Sequence, residues 1–312
     1  HIVFNTIGTI LFMIAMTIIR MCGGFPGLWE SVSDSGVIAN FQTIFNLITA
    51  IVLLPFTNLL VKLACKVVKD DEAEETTYPE LAVLDSKLMI APTLALNEVT
   101  KVVVDMAVVA KENVARSIKQ YEKYSSKRSA EILAYEDRLD RFTDSADNYL
   151  IALSQNIETE NDNRQRNVLM QCIRDIERIG DYATNLDEMA QKMHECGYKF
   201  SEAAKKELSI LSDAVQEILR LTVDALENDS DYITRRIEPL EEVIDDMVLL
   251  LKDKHTARLC QGICSIDSGL IFMDILTYYE RTADQCSSIA MLILSKNNEA
   301  IMKNHHLYLQ EL

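Results

Sequence analysis

Two uncharged apolar stretches open the chain, and apolar positions spaced at helical intervals on a charged background fill the rest. Ile2 to Ile19 is eighteen residues without a charge, and Val37 to Val61 is a second uncharged stretch with Pro55 inside it. A helix needs about 20 apolar residues to cross a bilayer core. The pattern therefore predicts two membrane spans, at about 2–19 and 37–61, and Pro is tolerated in a span whose neighbours satisfy the freed carbonyl. Between them, Met21 to Gly36 carries Gly23, Gly24, Pro26, Gly27 and the single tryptophan, Trp29, an aromatic of the kind that sits at headgroups. A signal peptide is disfavoured because no basic segment precedes the first stretch and a second span follows it. Two core helices of a soluble protein are the competing reading, weakened by the lack of charge on any face of either stretch. Lys62, Lys66 and Lys69 follow the second stretch, and the positive-inside rule puts residues after about 62 in the cytoplasm. The expected setting is the cell inner membrane, crossed more than once.

Beyond a polar, acidic linker at 69–80 the pattern is helical. Pro92 suits a first helical position, and Val99, Val102, Val103, Met106, Val109, Ala110 and Val114 recur on one face. A polar break at Tyr124 to Lys127 ends that helix. Further helices are expected at about 129–155 and 164–196, the latter stopped by Gly197, and from the N-cap Ser201 to Glu227. Two more are expected at about 231–255 and, after a Gly-containing turn (Gly262 to Gly269), 270–295, with a tail at 297–312. With 9 Gly and 5 Pro in 312 residues, sheet turns are scarce, so the fold class is all-α.

Charge changes this picture. Residues 1–68 hold Arg20, Lys62 and Lys66 against Glu30 and Asp34, a net of +1, which leaves −18 on the remainder of a −17 chain. An acidic body of this kind excludes nucleic acid as a partner. The acidic residues also repeat. Glu136-Asp-Arg-Leu-Asp140 matches Glu241-Glu-Val-Ile-Asp245 at a shift of 105, and Glu177-Arg-Ile-Gly-Asp181 matches Glu280-Arg-Thr-Ala-Asp284 at a shift of 103. The body at 81–296 is thus two copies of three helices, about 86–197 and 201–296. In each Glu-x-x-x-Asp the two carboxylates share a helix face and repel, costing about 0.2–0.5 kcal/mol unless a cation compensates. Oxygen ligands suit a hard cation, so Glu136, Asp140, Glu177, Asp181, Glu241, Asp245, Glu280 and Asp284 are candidate metal ligands. A solvated acidic face is the alternative, and Arg178 and Arg281 are alternative counter-ions. The Glu-x-x-His of di-iron bundles occurs nowhere. The first copy keeps Asn185 along its motif helix and is expected to bind more tightly than the second, which has Ser288.

Amides inside the apolar stretches are costly unless they face a cavity, a partner helix or a solute. Phe4-Asn5 and Phe45-Asn46 repeat, with Gln42 one turn before Asn46, which makes Asn5, Gln42 and Asn46 candidates for a transport path, with helix-helix glue as the competing role. The seven cysteines are scattered and, on a cytoplasmic body, reduced. Cys260-x-x-x-Cys264 near His255 lacks a second half for a zinc site and reads as packing. No phosphate-cradling Gly-rich loop and no Ser/His/Asp arrangement is present, so no enzyme is expected.

Asp175-Ile-Glu-Arg-Ile-Gly-Asp-Tyr-Ala-Thr-Asn185 and Tyr279-Glu-Arg-Thr-Ala-Asp-Gln-Cys-Ser-Ser-Ile-Ala290 resemble the signature helices of PhoU domains. Glu238 to Asp245 and Lys254 to Leu259 resemble the version fused to bacterial sodium/phosphate cotransporters, and Ala39 to Phe56 is similar to the end of that family's membrane domain. The resemblance implies two transmembrane helices, the last of a transporter's membrane domain at 1–68, followed by a PhoU-like pair of three-helix bundles. It implies a sodium-coupled inorganic phosphate symporter, of which this chain is one piece, with a cytoplasmic regulatory tail. It also implies a divalent or iron-type metal on the carboxylate motifs, a lipid bilayer around the spans, and a homo-oligomer or phosphate-signalling protein as partner. Gln42, Gln285 and Ser288 depart from the family's residues at their positions. The family's Gln-Ser-Ser substrate segments are absent from 1–68, and Gln285-Cys-Ser-Ser288 lies on a body helix. The chain opens at His1 inside an apolar run, consistent with a piece of a longer protein. A membrane-anchored signalling adaptor and an acidic metal-binding bundle are the competing function classes.

Overall fold

A computed structural model describes residues 2–24, 35–54, 81 and 83–296. The expected linker, the Lys62, Lys66 and Lys69 cluster, Trp29, Pro55 and the tail after 296 lie outside the described residues. The described residues are helical and contain no strand. The chain divides into two units, His1–Thr76 and Thr77–Leu312.

In the first unit, helices α1 (Ile2–Met21) and α2 (Ser35–Leu53) form where apolar helices were expected. They meet where Phe12 packs edge-to-face on Phe45, ring centroids 5.1 Å apart, and where Gly8 lets the buried Thr49 come too close for any added Cβ. Met13, Ile14 and Ile18 of α1, and Ile48, Ile51 and Val52 of α2, remain exposed. Among the described residues no helix is long and apolar enough to cross a membrane, so the two expected spans are not supported as such. Helix α2 is described from Ser35 to Leu53, and the rest of the expected second stretch, 55–61, lies outside the described residues.

The second unit holds α3 (Pro92–Glu122), α4 (Ser126–Leu153) and α5 (Glu160–Cys196), then α6 (Glu202–Asn228), the one-turn α7 (Asp231–Thr234), α8 (Ile237–Cys260) and α9 (Ile266–Lys296). Local chemistry fixes these ends. Pro92 stands at the start of α3, Gly197 takes the left-handed conformation after α5 with φ 68°, and the Ser201 side chain accepts from the N–H of Ala204. Two starts come earlier than the apolar pattern alone suggests. The Thr159 side chain accepts from the Asp162 N–H, so α5 begins at Glu160, and Ser265 Oγ accepts from the Ser268 N–H beside the start of α9. The single helix expected over 231–255 is broken after Thr234 and restarts at Ile237. Pro239, which lacks the N–H an interior position needs, falls in the first turn of α8, where that donor is not missed.

Helices α3, α4 and α5 form one three-helix repeat and α6, α8 and α9 the other, joined by packing of α5 on α9 and α3 on α6. The predicted α3 stripe from Val99 to Val114 is buried. It belongs to a single apolar cluster that runs through both repeats and includes Ile173 and Ile176 of α5, Val215 and Ile218 of α6, and Ile275 and Ile289 of α9. Each such side chain contributes roughly 1.5–3 kcal/mol of burial. The buried Asp187 of α5 accepts from Gln120 Nε2 at 2.6 Å and from Ser129 Oγ at 3.1 Å, tying the α3–α4 hairpin to α5.

The repeats differ at one close approach. A Cβ on Gly180 would lie 2.5 Å from Leu139 Cδ2, so any side chain at this position would force the buried Leu139 of α4 to shift. At the matching position of the second repeat, Ala283 and Ile244 are both fully buried. Gly180→Val is therefore expected to destabilise the domain by about 1–3 kcal/mol through overpacking, read as a lower midpoint in thermal unfolding. Ala283→Gly, which opens space instead, should leave helix-helix contact at Asp284 in place.

Candidate functional site

The motif helices place their carboxylates on the face opposite the core. In the first repeat Glu136 and Asp140 sit one turn apart on α4, and Glu177 and Asp181 one turn apart on α5. Helices α4 and α5 pack on each other, and the carboxylates meet across that seam. All four carboxyls are pushed above their ordinary values, first by partial burial. Neighbouring charge adds to this: Asp140 and Asp181 raise Glu136, Asp140 raises Asp181, and Asp181 and Asp140 raise Glu177. Two residues that the sequence reading passed over belong to the same ridge. Asp144 and Asp147 continue along α4 and also raise Glu177, and an Asp147 carboxylate oxygen is buried without a hydrogen-bond partner. Their signal was the helical spacing 136, 140, 144, 147. Arg174 acts on Asp147, and Arg178 acts on Asp181 while lying 3.8 Å from the buried Asp175.

The second repeat is gathered more tightly. Ligand oxygens of Glu241, Asp245 and Asp284 lie within 4.8 Å of one another, and no other such group occurs among the described residues. Burial, then Asp245, Glu238 and Asp284, push the Glu241 carboxyl up to about 7. Glu241 also hydrogen-bonds Asp284, which pulls Asp284 back down against burial and Glu280. One oxygen of Asp245 is buried with no hydrogen-bond partner. Glu280 stands apart from the three, its Oε2 held 2.8 Å from Lys252 Nζ. Ser288, the counterpart of Asn185, donates to Asp175 of the first repeat at 2.7 Å, and Ser287 donates to Glu238. A groove of about 600 Å³ opens beside the cluster, lined by Glu241, Asp284 and Ser287 on one side and Arg164, Asn167 and Gln171 of α5 on the other.

Each expected group of four carboxylates is thus brought to one helix pair. The first copy was expected to bind more tightly; the close convergence of three carboxylates lies in the second. The donors are all oxygen, as Mg²⁺, Mn²⁺ or iron prefer. The buried, unpartnered Asp245 oxygen and the raised Glu241 carboxyl fit a cation, which would supply the charge that a proton supplies in its absence. His255 is buried and stacked on Phe272, centroids 4.8 Å apart. Of the remaining candidates, Asn5 lies in α1 with its side chain outside the described residues, and Gln42 and Asn46 are exposed one turn apart on α2.

Two three-helix repeats around a shared core, each with carboxylates on its second and third helices, define a class of two-repeat all-helical domain. The model of the PhoU domain matches residues 103–190 and 208–293, more than half of the chain, and the chain belongs to the PhoU domain family. The fold agrees with solved structures of PhoU from Pseudomonas aeruginosa (TM-score 0.61, 17% identity, 64% of this chain and 96% of that one) and of the phosphate transport system regulatory protein PhoU from Streptococcus pneumoniae (0.60, 16%, 67% and 97%). YjbB of Salmonella typhimurium, named as a candidate inorganic phosphate export protein, is 21% identical over 94% of this chain and 55% of its own length. A phosphate-specific transport system accessory protein PhoU homolog of Synechocystis is 28% identical over 42% of this chain and 57% of its own length. The chain therefore spans about half the length of the curated relatives it matches.

A pH dependence follows from Glu241. Its pKa is raised in the fold, from 4.5 to about 7, so its contribution to stability is present in full below pH 4.5 and lost as pH rises through 7. Chelator-treated protein should lose part of its stability across that window. Glu241→Gln should flatten this component of the stability-versus-pH curve in denaturant titrations, and a bound divalent ion should reverse it.

Proposed function

We propose that this chain is the regulatory part of a phosphate-transporting membrane protein: a PhoU-like domain that holds divalent or iron-type metal on its acidic ridges, joined to the inner membrane through α1 and α2. The convergence of Glu241, Asp245 and Asp284 is the observation that carries the metal reading. Family membership and likeness to proteins named for phosphate transport and export support the phosphate role. The uncharged runs 2–19 and 37–61 support a lipid setting, which leaves residues after about 62 on the cytoplasmic side. In the full-length protein, inorganic phosphate crosses with sodium through a membrane domain to which α1 and α2 contribute, with Asn5, Gln42 and Asn46 on its path. Sodium coupling is supported by the resemblance of residues 39–56 to the cotransporter family. A membrane-anchored phosphate-signalling adaptor is the second reading, favoured by the match to the Synechocystis accessory protein.

Uptake of labelled phosphate into vesicles that contain the full-length protein separates the two. Symport predicts uptake driven by a sodium gradient and reduced several-fold by Asn46→Leu, with membrane insertion unchanged. No sodium-driven flux in the wild type would leave the adaptor.

Metal binding is tested by thermal melting after chelation, with Mg²⁺, Mn²⁺ or iron added back. A fitting ion should stabilise the fold by mass action, about 2.7 kcal/mol at a hundred times its dissociation constant, and Asp181→Asn should remove much of the first repeat's share. Equal melting with every ion, and no metal by elemental analysis, would leave the ridges as solvated acidic faces.

A further inference from the structure

A second cavity, of about 460 Å³, lies where the two repeats join. Each of the helices that meet there supplies a wall: Tyr121 from α3, Met193 from α5, Leu208 from α6 and Tyr279 from α9. The connection between the repeats supplies another. Gly197 turns the chain in the left-handed conformation, and the Tyr198 N–H donates to the Met193 carbonyl at 3.0 Å. Phe200 then packs edge-on against Phe272 of α9, ring centroids 5.6 Å apart, so Tyr198 and Phe200 are both held in the lining. A smaller cavity of about 130 Å³ shares Tyr121, Met193 and Tyr198 with the first. It is also lined by Tyr124 and His194, whose rings stack 4.6 Å apart. The aromatic walls are fixed in place: Tyr279 is buried, and the Tyr121 hydroxyl donates to the Leu186 carbonyl.

Charge distinguishes this place from the rest of the acidic body. Residues 192–206 hold four lysines against two glutamates, and two of the lysines, Lys199 on the connection and Lys205 on α6, line the cavity. Lys205 lies 2.7 Å from Glu202 on its own helix, and both side chains are exposed, so that pair is worth little and is open to exchange for an incoming anion. One acid, Glu122 at the end of α3, also lines the space. The geometry points to this cavity as a binding site for a nucleoside phosphate. Each part of such a molecule meets a group that suits it. A base stacks on aromatic rings whatever its identity, the lysine ammoniums pair with phosphate, and the Glu122 carboxylate accepts from sugar hydroxyls. Glu122 weighs against a fatty acid, which would bring a second carboxylate and no donor to it. Inorganic phosphate alone would leave the aromatic walls unused. The volume falls within the range of about 300–1,000 Å³ common for small-molecule pockets. A molecule seated here touches both repeats at once, so its binding would hold the two halves together. The inference rests neither on the metal reading of the ridges nor on phosphate transport.

The test titrates the full chain with the mono- and triphosphates of adenosine, guanosine, cytidine and uridine, read by isothermal titration calorimetry and thermal melting. Their nucleosides, inorganic phosphate and laurate are the comparison ligands. Chelator is present throughout, so that no nucleotide is carried in on a divalent ion. At least one nucleotide should bind and raise the unfolding midpoint by a few degrees, and it should bind about tenfold or more tightly than its own nucleoside and than inorganic phosphate. Lys199→Glu combined with Lys205→Glu should weaken it by about tenfold or more. Ser209→Trp, which fills the cavity from an exposed position of α6, should abolish binding. Both variants should unfold at the wild-type midpoint without ligand. Lys206→Glu, a charge change beside the lining but outside it, should keep the affinity within about twofold. No binding of any of the eight nucleotides would overturn the inference, as would binding that survives both cavity variants or falls equally in Lys206→Glu. Inorganic phosphate or laurate bound as tightly as the best nucleotide, and lost in Ser209→Trp, would overturn the nucleotide assignment in favour of a plain anion or an acyl chain.

Discussion

The acidic ridges depend on what their helices do on the opposite face. Leu139 neighbours Asp140, and Gly180 neighbours Asp181; the contact between Leu139 and Gly180 sets how closely α4 approaches α5. The carboxylates on the outer side of that seam are held at their separation by apolar packing on the inner side. Repulsion between like charges works against this arrangement, at a few tenths of a kcal/mol per pair, and burial of the apolar stripe outweighs it at roughly 1.5–3 kcal/mol per side chain. Proximity of the carboxylates is thus imposed by the core. The raised carboxyl values on both ridges express that imposition: partial burial raises them first, and neighbouring carboxylates that cannot move apart add to it.

The same balance is met differently in the two repeats. On α8 and α9, the hydrogen bond between Glu241 and Asp284 and the ammonium of Lys252 offset the crowding. On α4 and α5, Arg174 and Arg178 act at the margins of a longer run of carboxylates. Ser288 of α9 donates to Asp175 of α5, so the second ridge is also hydrogen-bonded to the first repeat. These differences arise in a common frame of three helices, and they come from single side chains at matched positions.

Much of this frame was legible in the sequence. The helix class, the two copies, the ends marked by Pro92, Gly197 and Ser201, and the placement of the Glu-x-x-x-Asp pairs on the second and third helix of each copy all follow from local periodicity and capping. Three things did not follow. The break before α8 turns on the position of Pro239 within a turn, which an apolar pattern does not resolve. The early start of α5 rests on the Thr159 side chain and its bond to the Asp162 N–H, a signal that was available in the residue types. The Lys252–Glu280 pair depends on the register of two antiparallel helices and could be reached only from the shift between the copies. For α1 and α2 the apolar pattern gave the helices themselves.

The single core that runs through both repeats carries a consequence for how such a duplication can persist. Residues of α3 and α5 are covered by α6 and α9, so neither half has a finished exterior of its own. A cut in the connection between Gly197 and Ser201 would leave two fragments that complement each other rather than two independent modules. Gene fission at that point would be viable only with co-expression of both pieces. The ridges can drift apart in charge, as they have at Asp147 and Lys252, which the shift of 105 residues pairs, because they lie outside the shared surface; the inner stripes are bound to change together.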